Sequence, residues 1–228
     1  DAPDRTQREL VEDWELAIAA AGLPLARTDG ATTRPRIAFG APLPVGMAAN
    51  GELIDVVLTE RWPAWRVRDA LAVSMPSGWR MVELYDMWLA GPPLPGRVAA
   101  ADYRIELAET PPGPAGAPGA TARADRAEAL RRACAELLAA TTITRERSKG
   151  GGVVTYDLRA LVIDAKVVAA GPPIALMVRT RIHPELGTGR PEEVVAALAA
   201  IMGAPLDIVT MVRERLILAD ELVDAELG

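Results

Sequence analysis

The chain has 228 residues, half of them hydrophobic and a quarter charged, so it holds enough apolar matter for one large core or two small ones. A net charge of −6 and a single cysteine exclude bulk attraction to nucleic acid or anionic membranes, an intramolecular disulfide and a cysteine-based metal cluster. No apolar run approaches the roughly 18–20 residues of a membrane span and nothing at the start reads as a signal peptide, so the expected address is cytoplasmic.

Residues 6–21 predict an amphipathic helix, with Leu10, Trp14, Ala17, Ile18 and Ala21 at helical spacing, Thr6 and Glu9 as a capping box and Gly22 as the stop. Short strands are expected at Arg36–Phe39 and Leu53–Leu58, a helix from Pro63 to Met75, and a strand over Arg80–Trp88. Tyr103–Leu107 opens a second half as a strand. The Pro/Gly/Ala stretch 110–120 is too poor in apolar bulk to pack and reads as a loop. A helix over Asp125–Ala140 follows, then strands at Thr142–Arg147 and Val153–Tyr156 joined through Gly150-Gly151-Gly152. A hairpin pairs Val162–Ala169 with Ile174–Ile182. The last elements are a helix over Pro191–Met202, with Glu192 and Glu193 in its first turn, and a strand over Ile208–Leu218.

This order predicts an α+β fold of two tandem ferredoxin-like (βαββαβ) units, 1–99 and 100–220, with an acidic tail at 221–228 and the first unit lacking its opening strand. The exposed sheet edge left by that strand predicts one of three things: a chain truncated upstream, compensation by residues 97–101, or a strand from another polypeptide. Charge is uneven: residues 1–110 hold 11 basic and 16 acidic side chains, residues 111–219 hold 14 and 11.

The run Arg34-Pro35-Arg36-Ile37-Ala38-Phe39-Gly40, with Leu43-Pro44-Val45-Gly46, Glu52-Leu53-Ile54-Asp55-Val56 and Ala100-Ala101-Asp102-Tyr103-Arg104, resembles the bacterial radical SAM-linked protein family. The likeness extends to Ala21-Gly22-Leu23-Pro24-Leu25, Arg147-Ser148-Lys149-Gly150, Asp157-Leu158-Arg159 and Arg190-Pro191-Glu192-Glu193. Members of that family are encoded beside, or fused to, a radical S-adenosylmethionine protein, so the resemblance implies such a partner rather than a reaction. Thr6-Gln7 replaces a Ser-His pair usual in the family, and Thr32-Thr33-Arg34 replaces its Asn-Pro-His. Any chemistry those residues perform in relatives is expected to be lost here.

No catalytic constellation emerges from the chain. Cys134 falls on the apolar stripe of its helix, as a structural thiol does, and His183 has no nucleophile or carboxylate that can be placed beside it. One His and one buried Cys cannot hold zinc or an iron–sulfur cluster, so no metal or cofactor is expected within the chain. Lys149 before the three glycines lacks P-loop spacing and reads as part of a hairpin.

The binding candidates are arginines at alternate strand positions: Arg145 and Arg147 with Lys149; Arg179 and Arg181 with His183; Arg213 with Arg215. Period-two alternation puts each set on one side of its strand. Converging on an open sheet face, they would offer about six guanidinium groups to RNA phosphates or an acidic surface, with Tyr103 the one sheet aromatic available for base stacking. A solvated face balanced by Glu106, Glu146 and Glu214 is the alternative. A recognition loop is expected at Arg34, Pro35, Arg36, Phe39 and Gly40. The expected function is a non-catalytic adaptor for a radical S-adenosylmethionine partner that binds this partner or its macromolecular substrate, with RNA as a candidate. An RNA-processing enzyme using Arg179, Arg181, His183 and Lys149, and a purely structural interaction domain, are the alternatives.

Overall fold

The computed structural model describes residues 5–87, 92–108, 120–149, 152–171 and 173–222. The chain divides into two units, Asp1–Val98 and Ala99–Gly228.

In the first unit, helix α1 (Gln7–Ala20) begins where its sequence asks: Thr6 accepts from the Glu9 amide and the Glu9 carboxylate accepts from the Thr6 amide. Gly22 takes a left-handed φ of +67°, which ends the helix without steric cost. Strands β1 (Ile37–Phe39) and β3 (Ile54–Val56) pair antiparallel, and the two-residue β2 (Ala48–Ala49) lies between them in sequence. Helix α2 (Ala64–Ala72) follows Pro63. Leu10, Trp14, Ile18, Leu23, Phe39 and Leu71 form the core, with Trp79 edge-on to Trp14 at 5.5 Å between ring centroids. The strand expected over 80–88 does not form across Arg80–Met87, and residue 88 lies outside the described residues. Val82 and Tyr85 there are exposed, while Met81 packs on the core, so the segment follows the core as irregular chain. Branched and aromatic side chains favour a strand only when a neighbouring strand accepts the ladder.

The second unit is a sheet backed by two helices. Its strands are β4 (Val98–Leu107), β7 (Val162–Ala169), β8 (Ile174–His183) and β10 (Ile208–Leu218), in spatial order β10-β4-β8-β7, with the short β9 (Gly187–Thr188) paired to β8. Of residues 97–101, one of the expected replacements for the missing strand, 98–101 are the first residues of β4. Helices α3 (Ala120–Ala139) and α4 (Pro191–Met202) pack on each other, on β7 and on β8. Under them lie Ala101, Tyr103, Ile105 and Leu107 of β4 and Leu176, Val178 and Thr180 of β8, all buried. Each Leu or Ile so buried contributes about 1.5–3 kcal/mol relative to exposure. Between α3 and β7 the chain forms a separate antiparallel pair, β5 (Thr144–Lys149) and β6 (Gly152–Asp157). The loop expected at 110–120 lies outside the described residues up to 119, as do the central glycines of the β5–β6 turn and tail residues 223–228.

Candidate functional site

The alternating arginines fall on two sheets, Arg179, Arg181, Arg213 and Arg215 on β8 and β10 and Arg145 and Arg147 on the β5–β6 pair. On β8 the residues facing away from the helices include Arg179 and Arg181, and the register sets Asp102 of β4 directly opposite Arg179. Arg179 donates from Nε and Nη2 to the two Asp102 carboxylate oxygens at 2.7 and 2.9 Å, a bidentate fork. Arg215 of β10 donates to the same carboxylate at 3.2 Å and to Glu221 at 3.4 Å. Burial resists ionisation of Asp102, yet the hydrogen bonds and charges of Arg179 and Arg215 outweigh it and hold the carboxyl below its ordinary range. On the same face Arg104 pairs with Glu106 and Lys166 with Asp164. Arg213 is 1 % exposed, so its guanidinium is not offered to a ligand. Tyr103 is buried on the helix-covered side and presents no ring for stacking. Carboxylates within the sheet thus already meet much of the basic charge read from strand parity.

Arg145 and Arg147 lie elsewhere, on the β5–β6 pair. The register places Arg145 opposite Tyr156 and Arg147 opposite Val154. The Arg147 guanidinium stands 5.0 Å from the Tyr156 ring centroid. Its tip also rests against Gly187, where an added Cβ would meet Nη2 at 3.2 Å; φ there is +92°, so glycine suits both the turn and the contact. Arg190, the residue before α4, acts on Tyr156 through its charge. Burial and then Glu193 push the Tyr156 hydroxyl up, while Arg147, Arg190 and Arg145 oppose them. The charge of Glu193 is thus opposed by that of three guanidinium groups at this hydroxyl. The Nε groups of Arg145 and Arg147 are shielded from solvent and have no hydrogen-bond partner among the described residues. A buried donor without an acceptor costs about 1–3 kcal/mol, and these two atoms, closed to solvent, leave the outer Nη groups as the part of each guanidinium that a ligand could meet.

Other expected residues have structural duties or separate positions. His183, at the end of β8, accepts on Nδ1 from the amides of Glu185 and Leu186, both at 3.2 Å, and shapes the turn into β9. The Lys149 side chain lies outside the described residues, although its backbone pairs with Gly152. In the expected recognition loop, Phe39 is core and stands 6.2 Å from Trp79, and Gly40 is buried with its amide bound to Leu53. Pro35 bridges to Arg27, whereas the Arg34 and Arg36 side chains are exposed. Cys134 is buried, and burial, followed by the charge of Asp164, pushes its thiol up to about 11. Among the described residues no three His, Cys, Asp or Glu side chains could hold a metal ion. No helix among them is long and apolar enough to cross a membrane.

Strand parity alone missed Tyr156, Arg190 and Glu193. One local signal was present: pairing of Lys149 with Gly152 sets Arg145 opposite Tyr156. The approach of Arg190 depends on how α4 packs and has no local signature.

Compared with known proteins, the chain matches none of the curated ones. Residues 6–210 match the model of a family described as an uncharacterized protein conserved in bacteria (DUF2344), a description that gives no activity and no link to radical S-adenosylmethionine proteins. With that match running from the first helix into the last strand, the chain belongs to the DUF2344 family.

Proposed function

We propose that this protein is a non-catalytic accessory factor that works with a radical S-adenosylmethionine partner and holds that partner's RNA substrate through the arginine cluster around Tyr156. The observation that carries the RNA contact is the placing of Arg145 and Arg147 on one face of β5, Arg145 opposite Tyr156 and the Arg147 guanidinium 5.0 Å from its ring centroid. The planar donor fork of a guanidinium matches phosphate oxygens, as it does carboxylates. A net charge of −6 is compatible with this, because the attraction is local. The partner is suggested by the resemblance of Arg147-Ser148-Lys149-Gly150 and Arg190-Pro191-Glu192-Glu193 to the radical SAM-linked family. Both stretches contribute an arginine to the cluster.

The architecture we infer is ferredoxin-like, with the β5–β6 pair as an insertion in the second unit. The strand order β10-β4-β8-β7 with α3 and α4 as crossovers supports it there. In the first unit α1, β1, β3 and α2 support a reduced form of the same plan.

Binding of fluorescent single-stranded RNA across a salt series tests the function. About three phosphate contacts predict a slope of log K against log salt near −2, and the triple variant Arg145→Gln, Arg147→Gln, Arg190→Gln should abolish it. No binding at about 50 mM salt would overturn the RNA reading. Retention of a purified radical S-adenosylmethionine protein, of the kind the resemblance implies, on the immobilised chain tests the partner.

A further inference from the structure

We infer that β6 pairs edge to edge and antiparallel with the β6 of a second copy of this chain, giving a sheet of order β5-β6-β6-β5. The inference is independent of the RNA reading above. Among the described residues β6 pairs with β5 alone, so its outer edge has no neighbouring strand. A two-stranded ribbon is marginally stable by itself, and a bare edge presents amide and carbonyl groups spaced to meet another strand. Other edges in the second unit are obstructed. β5 carries Arg145, Glu146 and Arg147 in succession, which puts charge on both of its faces. β7 has β8 on one side only, slips in register at Val162/Asp164 and Val167/Ala169, and holds the exposed Lys166 between the slips. Bulges and lysines are the features that keep an edge from pairing. β6 has neither. Its run Gly152-Val153-Val154-Thr155-Tyr156 is uncharged, pairs with β5 without a slip, and leaves Val153 67 % and Val154 39 % exposed.

Symmetry selects the occupant. A two-fold axis normal to the sheet leaves each face on its own side, so residues opposed across it have the same parity along β6. Val154 is the middle of the uncharged run. Centred there, Val154 opposes Val154 of the second copy, Val153 opposes Thr155, and Gly152 opposes Tyr156. No charge meets a charge, and β-branched side chains face one another, which are favourable cross-strand pairs. Centring on Thr155 instead would set Asp157 against Val153. The strand is thus its own complement at every position of the run. So few paired residues fall short of the roughly 20–30 a side of a standard interface, which makes the dimer a weak one.

Sedimentation velocity of the full chain from about 5 to about 500 μM should show a monomer passing into a dimer. Val154→Glu places an acid opposite Arg147 within the ribbon but sets two carboxylates against each other across the two-fold axis, so it should stay monomeric. Val154→Lys should stay monomeric as well. An equal mixture of these two variants should regain a dimer holding one chain of each, read by native mass spectrometry, because Glu then meets Lys. Val154→Thr keeps the β-branch and should dimerise as the wild type does. Should circular dichroism show that a Val154 variant is unfolded, Val153→Glu, at the more exposed position, should weaken the dimer several-fold. A wild type that remains monomeric at about 500 μM would overturn the inference. So would dimers of Val154→Glu as strong as those of the wild type, or a mixture that forms no mixed dimer. Growth beyond the dimer would overturn it too, since the charged β5 edges close the sheet on both sides.

Discussion

At the scale of single residues, Asp102 shows why a strand pattern overstates a basic surface. Arg179 and Arg181 alternate on β8 as parity requires, but the carboxylate that meets Arg179 lies 77 residues away on β4 and becomes its neighbour only through the register. No local rule places that acid. The network also predicts a pH dependence. The Asp102 carboxyl is held below its ordinary value in the folded chain. Its contribution to stability is therefore present above the unfolded pKa of about 3.9 and is lost as pH falls through the lower folded value. Denaturant midpoints of the wild type should drop on acidification below about pH 4, and Asp102→Asn should flatten that part of the profile. At pH 7 the variant should lose roughly 1–3 kcal/mol, below the full cost of breaking a buried pair because Arg215 is half exposed. A pH profile of the same shape in Asp102→Asn would remove Asp102 as its origin.

Elements reveal a second kind of hidden residue. Arg159 stands in the Asp157-Leu158-Arg159 stretch, one of those that carry the family resemblance. Its guanidinium donates twice to the Leu138 carbonyl, at 3.1 and 2.9 Å, and once to Val162 at 2.7 Å. Leu138 is in the last turn of α3, where carbonyls have no intrahelical partner, so Arg159 caps that helix from 21 residues away. Asp157 meanwhile accepts from the amides of Ile143 and Arg159, locking the entry and exit of the β5–β6 pair together. Arg159→Ala should cost about 2–3 kcal/mol, since charged hydrogen bonds are lost and a carbonyl at the helix end is orphaned. Arg159→Lys should recover only part, because an ammonium cannot reproduce the fork. Urea denaturation of the two variants gives the comparison, and a loss under about 0.5 kcal/mol in Arg159→Ala would reduce the contact to a surface one. Helices with strong end signals were the most legible elements: α4 runs over Pro191–Met202 as its proline, acids and Gly203 imply. The segment after Gly78 was the least legible, because its side chains are those of a strand and only the absence of a ladder distinguishes it.

For the whole molecule, the sequence indicated two units because a helix–strand order repeats, and the chain divides at Val98 and Ala99. Both cores were legible in outline from apolar periodicity. The cluster around Tyr156 was not, since it joins a hairpin inserted after α3 to the start of α4, and periodicity carries no information about which insertion folds toward which helix. Division into units has a spectroscopic corollary. All five tryptophans, at 14, 62, 65, 79 and 88, precede residue 99, and the one thiol, Cys134, follows it. Indole emission therefore reports on the first unit, and the reactivity of a buried thiol reports on the second. Each unit has its own apolar core, so the emission midpoint and the labelling midpoint should fall at different urea concentrations in the same untagged chain. Coincident midpoints would mean instead that the two units melt as one, with the indoles and the sulfur recording a single event from opposite ends.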